Sequence, residues 1–178
     1  MNLPNKLSLT RMGLIPVMVV LMYPGSTLCN LLAAAVFGAA AFTDYLDGHI
    51  ARKEGIVTDF GKFIDPVADK LLNLSAFIML IHAGLMPAWA VVVILARELC
   101  VDGLRMVAVG NGQVIAAGKL GKIKTVSQII LVLWLMLTRL PASSHWFSMI
   151  LLGWVVVITL WSGADYFIKN GSCLKNAK

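Results

Sequence analysis

Six of the nine acidic residues in this 178-residue chain crowd into positions 44 to 69: Asp44, Asp47, Glu54, Asp59, Asp65 and Asp69. Asp44 and Asp47 are three apart, and Asp65 and Asp69 are four apart, so on helices each pair shares a face. Two antiparallel helices would gather these four carboxylates around one point. Four like charges at close range in a medium of reduced dielectric repel strongly. Divalent cations are the simplest remedy, and all-oxygen ligation favours Mg2+ or Mn2+ over zinc, with Ca2+ admissible. Lys62 and Lys70 offer Asp65 and Asp69 a second remedy, as structural ion-pair partners.

The residues between the acids add to this. Asp44, Gly48, Ala51 and Gly55 recur at helical spacing, so beyond its aspartate one stripe carries almost no side chain. Such a stripe lets a backbone or a flat ligand approach closely. Arg52, one position past Ala51, suits a phosphate that the same cations hold. Pro66 removes one helix hydrogen bond and is expected to kink or start the helix that carries Asp65 and Asp69.

These charged helices belong to an apolar chain. It is 59% hydrophobic and only 13% charged, far from the quarter charged that is typical of soluble domains. Apolar blocks of membrane-helix length, separated by breaks such as Tyr23-Pro24-Gly25-Ser26, Ala83-Gly84 and Leu140-Pro141, predict six transmembrane helices. They lie near 12–24, 27–53, 61–83, 86–109, 122–140 and 146–168. Residues 1–10 are expected to form a short interfacial segment, with Thr10 capping the first helix. Lys6 and Arg11 before a short span resemble a signal peptide, but no small-x-small cleavage site follows promptly, so the span is read as a mature helix. The expected fold is all-α and integral to the membrane, with residues 1–178 forming a single domain.

Basic residues orient it. With six spans and a cytoplasmic N-terminus, fourteen of the fifteen Lys and Arg fall on the inner side and only Arg139 on the outer, which places both termini in the cytosol. The net charge of +6 therefore points to anionic headgroups and phosphorylated substrates, with no nucleic-acid partner. Cys29, Cys100 and Cys173 show no paired spacing, so neither a disulfide nor a zinc site is expected. Trp89 and Trp146 fall at predicted outer span ends as interfacial anchors, while Trp134, Trp154 and Trp161 are read as lipid-facing or packing residues. His49 lies beside the acids on a different helical face, and His82 and His145 lie near outer ends. No Ser-His-Asp or Cys-His spacing invites a covalent intermediate, so direct in-line attack is favoured.

Written out, Asp44-x-x-Asp47-Gly48-x-x-Ala51-Arg52, eight residues, Gly61, three residues, Asp65, three residues, Asp69 resembles the signature of the CDP-alcohol phosphotransferases, with eight fixed residues over twenty-six positions. The resemblance implies a six-helix membrane enzyme, usually a homodimer, with a two-metal site on the cytoplasmic side of a bacterial inner membrane. It implies that Asp44, Asp47 and Asp65 bind the cations. Asp69 would be the general base and would also approach the metals. Gly48, Ala51, Arg52 and Gly61, beside Asp47 and Asp65, would hold the cytidine diphosphate part of the lipid.

Further stretches resemble the branch of that family whose acceptor is glycerol phosphate: Asn2-Leu3-Pro4-Asn5, Asp65-Pro66-Val67-Ala68-Asp69-Lys70, Ala96-Arg97-Glu98, Gly103-Leu104-Arg105 and Ala117 to Thr125. They imply CDP-diacylglycerol and sn-glycerol 3-phosphate as substrates, alongside membrane lipids. Glycerol 3-phosphate brings a dianion, and Arg97, Arg105, Lys122 and Lys124 fall near the same inner surface. Arg97 and Arg105, eight apart, are offset by about 80° on an ideal helix, so both can line one cavity. Thr125 and Gln128 add hydrogen-bonding groups, and Glu98 and Asp102 are potential partners for the arginines. Two alternatives stand: the same chemistry with inositol phosphate, serine or phosphatidylglycerol as acceptor, and a small cation transporter that uses the aspartates as an ion site. Transporters often carry internal repeats and midplane helix breaks, whereas these acids gather at one end of their helices.

Overall fold

A computed structural model describes the backbone of residues 3–54, 59–110 and 118–171, and the side chains of those residues outside 3–8, 44–66 and 119. Six α-helices account for nearly all of it: α1 (Leu3–Met22), α2 (Thr27–Glu54), α3 (Asp59–His82), α4 (Ala88–Gly110), α5 (Lys119–Thr138) and α6 (Trp146–Asn170), with no strand among the described residues. A helix satisfies its backbone N–H and C=O groups within one segment, which apolar surroundings demand.

Each helix falls on one of the predicted spans, and every boundary but one lies within three residues of its expected place. The exception is the start of α1 at Leu3, with Pro4 in its first turn, where a missing N–H costs nothing. Thr10 is therefore inside the helix and does not cap it. Pro66, likewise, lies inside α3, which starts at Asp59.

The helices form two compact units. The first contains residues 1–85 and 132–140, and in it α1 packs against both α2 and α3. The buried face of α1 is Arg11, Ile15, Met18 and Met22, a helical stripe with spacing four, three, four. Ala33, Phe37 and Ala40 of α2 and Ala68, Leu72, Ala76 and Leu80 of α3 are also buried in this unit. The alanines among them allow close helix approach.

One end of this unit is tied by polar contacts. Tyr23 stacks on His82, with ring centroids 5.5 Å apart and planes 14° from parallel. Gly25 turns the chain at φ 68°, a region that favours glycine, and its carbonyl accepts a hydrogen bond from Arg139 Nη1. The Ser26 hydroxyl accepts the Cys29 amide at 3.2 Å, satisfying a donor in the first turn of α2.

The second unit contains residues 86–131 and 141–178. Here α4 packs on α6 through Val101, Leu104 and Tyr166, with Phe167 against them. Ser148, Leu152, Val155, Thr159, Ser162, Gly163 and Tyr166 make one buried stripe along α6. Trp154 reaches from α6 to α5, where its indole N–H donates to Ser127 Oγ at 3.1 Å.

The outward faces are oily. Val20, Met106, Ile150, Trp161 and Ile168 are each at least 63% exposed, a surface that water would not tolerate on several helices at once. Leu120–Thr138 and Trp146–Asn170 are long and apolar enough to cross a membrane, and Leu9–Met22 and Thr27–Thr43 are shorter apolar stretches. The protein is an all-helical membrane protein. Replacing Arg139 by Ala removes the donor to the Gly25 carbonyl, so the unfolding temperature in detergent should fall by about 2–6 °C, with helix content unchanged by circular dichroism.

Candidate functional site

Asp44, Asp47, Gly48, Ala51 and Arg52 occupy the last eleven residues of α2, and Gly61 and Asp65 the first seven of α3. Their side chains lie outside the described residues, as does Gly55. What the backbone establishes is placement: both aspartate pairs sit on helices of the same unit, at the ends joined by the short α2–α3 connection.

Asp69, one turn further along α3, is half-buried. Its Oδ1 accepts a hydrogen bond from Asn73 Nδ2 at 3.2 Å, and the same nitrogen donates to the Asp69 carbonyl at 3.1 Å. This fixes one carboxylate oxygen toward the next turn and holds the side chain in one orientation. Among the described residues no three His, Cys, Asp or Glu side chains form a metal-ligand group, a set that leaves out Asp44, Asp47 and Asp65. An all-carboxylate donor set on two helices of one unit nevertheless fits a hard divalent cation by its chemistry.

A second polar group lies in the other unit. Arg97 Nη2 donates to Ser162 Oγ at 2.5 Å, and its Nη1 lies 3.6 Å from Glu98 Oε2. Lys124, which is buried, pairs with the other oxygen of Glu98. Arg105 Nε donates to Tyr166 Oη at 3.0 Å, with the guanidinium 5.3 Å from the Tyr166 ring centroid. Arg97, Arg105 and Lys124 thus belong to one unit, held by Ser162, Tyr166 and Glu98. Lys122 is exposed, and the Thr125 hydroxyl donates to the Gly121 carbonyl of its own helix at 3.2 Å.

The four aspartates and the basic side chains of both groups fall within the stretch that matches a known family. Residues 1–161 match the model of the family described as CDP-alcohol phosphatidyltransferase. The chain belongs to that family. A CDP-diacylglycerol–glycerol-3-phosphate 3-phosphatidyltransferase of Bacillus subtilis is 45% identical, with 99% of this chain and 98% of the relative covered. A protein of that name from Rickettsia bellii is 38% identical over 96% of this chain and 91% of its own length. A probable phosphatidylglycerophosphate synthase of Mycobacterium tuberculosis is 37% identical over 94% of this chain and 81% of its own.

Several residues of this CDP-alcohol phosphatidyltransferase carry more than their sequence positions suggest. Arg11 reads as a topology charge, yet it is 0% exposed. Ser162, Gly163 and Tyr166 fall in an apolar run, but their side of α6 receives both arginines of α4. A polar and small stripe, Thr159, Ser162, Gly163 and Tyr166, was the signal available for them. A Cβ built on Gly163 would sit 3.0 Å from Arg97 Cγ, so glycine there gives the arginine stem its space. Gly163→Val should therefore displace Arg97 and break its bond to Ser162, lowering the unfolding temperature by several degrees, roughly 3–8 °C, and by more than Ser162→Ala does.

Proposed function

We propose that this protein transfers the phosphatidyl group of CDP-diacylglycerol to sn-glycerol 3-phosphate, giving phosphatidylglycerophosphate and CMP. The observation that carries this reading is the 45% identity, end to end, with a relative named for that reaction. The complete aspartate signature on α2 and α3 supports the chemistry, and the basic group of α4, α5 and α6 supports a phosphorylated acceptor.

In this reading Asp44, Asp47, Asp65 and Asp69 would hold two divalent cations, Mg2+ or Mn2+. Bound there, they would neutralise the diphosphate oxygens and ease departure of CMP. Gly48, Ala51, Arg52 and Gly61 receive the cytidine diphosphate part, the small residues by letting it approach the backbone and Arg52 by donating to phosphate. Asp69, oriented through Asn73, accepts the proton of the acceptor hydroxyl. The hydroxyl oxygen then bonds to the phosphorus that carries diacylglycerol as the bond from that phosphorus to the CMP oxygen breaks. Arg97, Arg105, Lys122 and Lys124 hold the acceptor phosphate, with Thr125 beside them.

The reading also places all six helices across a bacterial inner membrane, with both termini and the aspartates at its cytosolic side and two copies forming a homodimer. Basic-residue asymmetry supports the orientation. The gathering of the α1–α2 turn and the end of α3 at one end of their unit is what alternating crossings require, whichever side that end faces. Asp44 is seventeen residues into α2 and Asp65 seventeen before the end of α3, about 25 Å along each helix and close to the far edge of a hydrocarbon core roughly 30 Å thick.

The deciding experiment offers glycerol 3-phosphate, inositol phosphate, serine and phosphatidylglycerol separately with CDP-diacylglycerol, and measures CMP release. Glycerol 3-phosphate alone should give product, a chelator should stop it, and Mg2+ or Mn2+ should restore it; product with a different alcohol only would reject the acceptor. Asp69→Asn should lower kcat by about 10²–10⁴ with CDP-lipid binding largely kept, and near-normal turnover would remove the general-base role. Arg105→Ala should raise the KM for glycerol 3-phosphate tenfold or so, more than that for CDP-diacylglycerol, and equal effects would point to folding.

A further inference from the structure

Arg11 is the one wholly buried cation among the described residues of the first unit, and at 0% exposure it is buried as completely as Met18 or Phe37. A guanidinium cannot shed its charge, so an arginine taken out of water must be matched by negative charge or carbonyl groups close by. Arg11 shares its stripe with Ile15, Met18 and Met22, and α1 packs against α2 and α3 in this unit. Those two helices carry every acid of the unit.

Height along the helices narrows the choice. Stacking of Tyr23 on His82 marks a common level for the ends of α1 and α3. Twelve residues back along each lie Arg11 and Lys70, so Arg11 stands level with the turn that carries Asp69. On α2, Asp44 is six residues further from the α1–α2 turn than Arg11 is on α1, about 9 Å at helical rise. Side chains on α1 lean toward its N-terminus, which is the direction of that gap.

We propose that Arg11 is a positioning residue for the aspartate cluster, the built-in counter-charge that holds α1 against the acidic parts of α2 and α3. Without bound cations Arg11, the wholly buried cation among the described residues of this unit, supplies positive charge to those carboxylates. With cations bound it shares that task and keeps the ligating helices in register. This rests on the reading that the cluster binds divalent cations. Arg11 does not touch substrate, and it acts through the aspartates.

The test uses the full-length protein in detergent and follows thermal unfolding in EDTA and in Mg2+ for the natural sequence, Arg11→Met and Arg11→Lys. Arg11→Met should unfold earlier in both media, with the loss larger in EDTA by roughly 5 °C, because Mg2+ replaces part of the missing charge. Arg11→Lys, which keeps the charge, should recover at least about half of the loss. In the CMP-release assay at saturating Mg2+, Arg11→Met should lower kcat about tenfold while both KM values stay within about threefold. Equal losses of stability in EDTA and Mg2+ would overturn the proposal, since that is the mark of a packing role alone. If Arg11→Met does not accumulate, the same comparison with Arg11→Gln decides. A natural protein whose unfolding is unmoved by Mg2+ would reject the metal reading itself, and this inference with it.

Discussion

Charge held away from water has to be neutralised where it stands, and that constraint organises this protein more than any apolar contact does. Moving a charged side chain toward the bilayer centre costs at least about 2.5–3.5 kcal/mol even on lenient scales. Several charged residues among those described are therefore held against a partner. Glu98 answers Arg97 and Lys124, Asp165 answers Lys169 one turn away, and Arg139 answers a turn carbonyl. The segments of α2 and α3 from Asp44 to Asp69 hold six of the nine acids, and divalent cations are the proposed answer there.

Apolar packing supplies the frame within which these charges are set. In the first unit the alanines of α2 and α3 present little bulk, so α1 can lie close to both, and the longest side chain on its buried stripe is the arginine. In the second unit the close approach of α4 to α6 at Gly163 lets the Arg97 stem pass and its head reach Ser162. Polar contacts at 2.5–3.0 Å then fix both arginines of α4 to one side of α6. A guanidinium restrained by a hydroxyl keeps further donors for an incoming anion, because it has five N–H groups in a rigid fork.

Much of this was legible from the chain alone. The apolar runs and their Gly and Pro breaks placed the helices, since in lipid a spanning segment has little choice but helix. Aspartate spacing identified the candidate centre, because three- and four-residue intervals map onto one helical face without tertiary information. Depth was not legible. Arg11 counts the same in a charge-sidedness rule whether it lies in the interface or is wholly buried, and its burial depends on the neighbours of α1. Ser162 and Tyr166 were hidden for a related reason: one hydroxyl in an apolar run has many innocent uses, and its partner is about sixty residues away in sequence. The start of α1 was misplaced because Pro4 and Asn5 weaken the helical pattern, although proline in a first turn is harmless.

The two polar groups also divide the chemical problem. In the proposed reading carboxylates with cations would act on the diphosphate, which is the same whichever alcohol attacks, so the signature on α2 and α3 carries little information about the acceptor. Selection among alcohols needs groups that respond to what differs between them. Serine would bring an ammonium and ask for an anion, and phosphatidylglycerol would bring a monoanionic diester. A phosphate monoester brings close to two negative charges and is the acceptor that repays a cluster of arginine and lysine. Glu98 pairs with Lys124 and Arg97, which leaves neither buried cation uncompensated, and in the proposed reading an incoming dianion would compete for the same donors. A weaker anion would not win that competition, so the internal acid would sharpen the preference for phosphorylated acceptors.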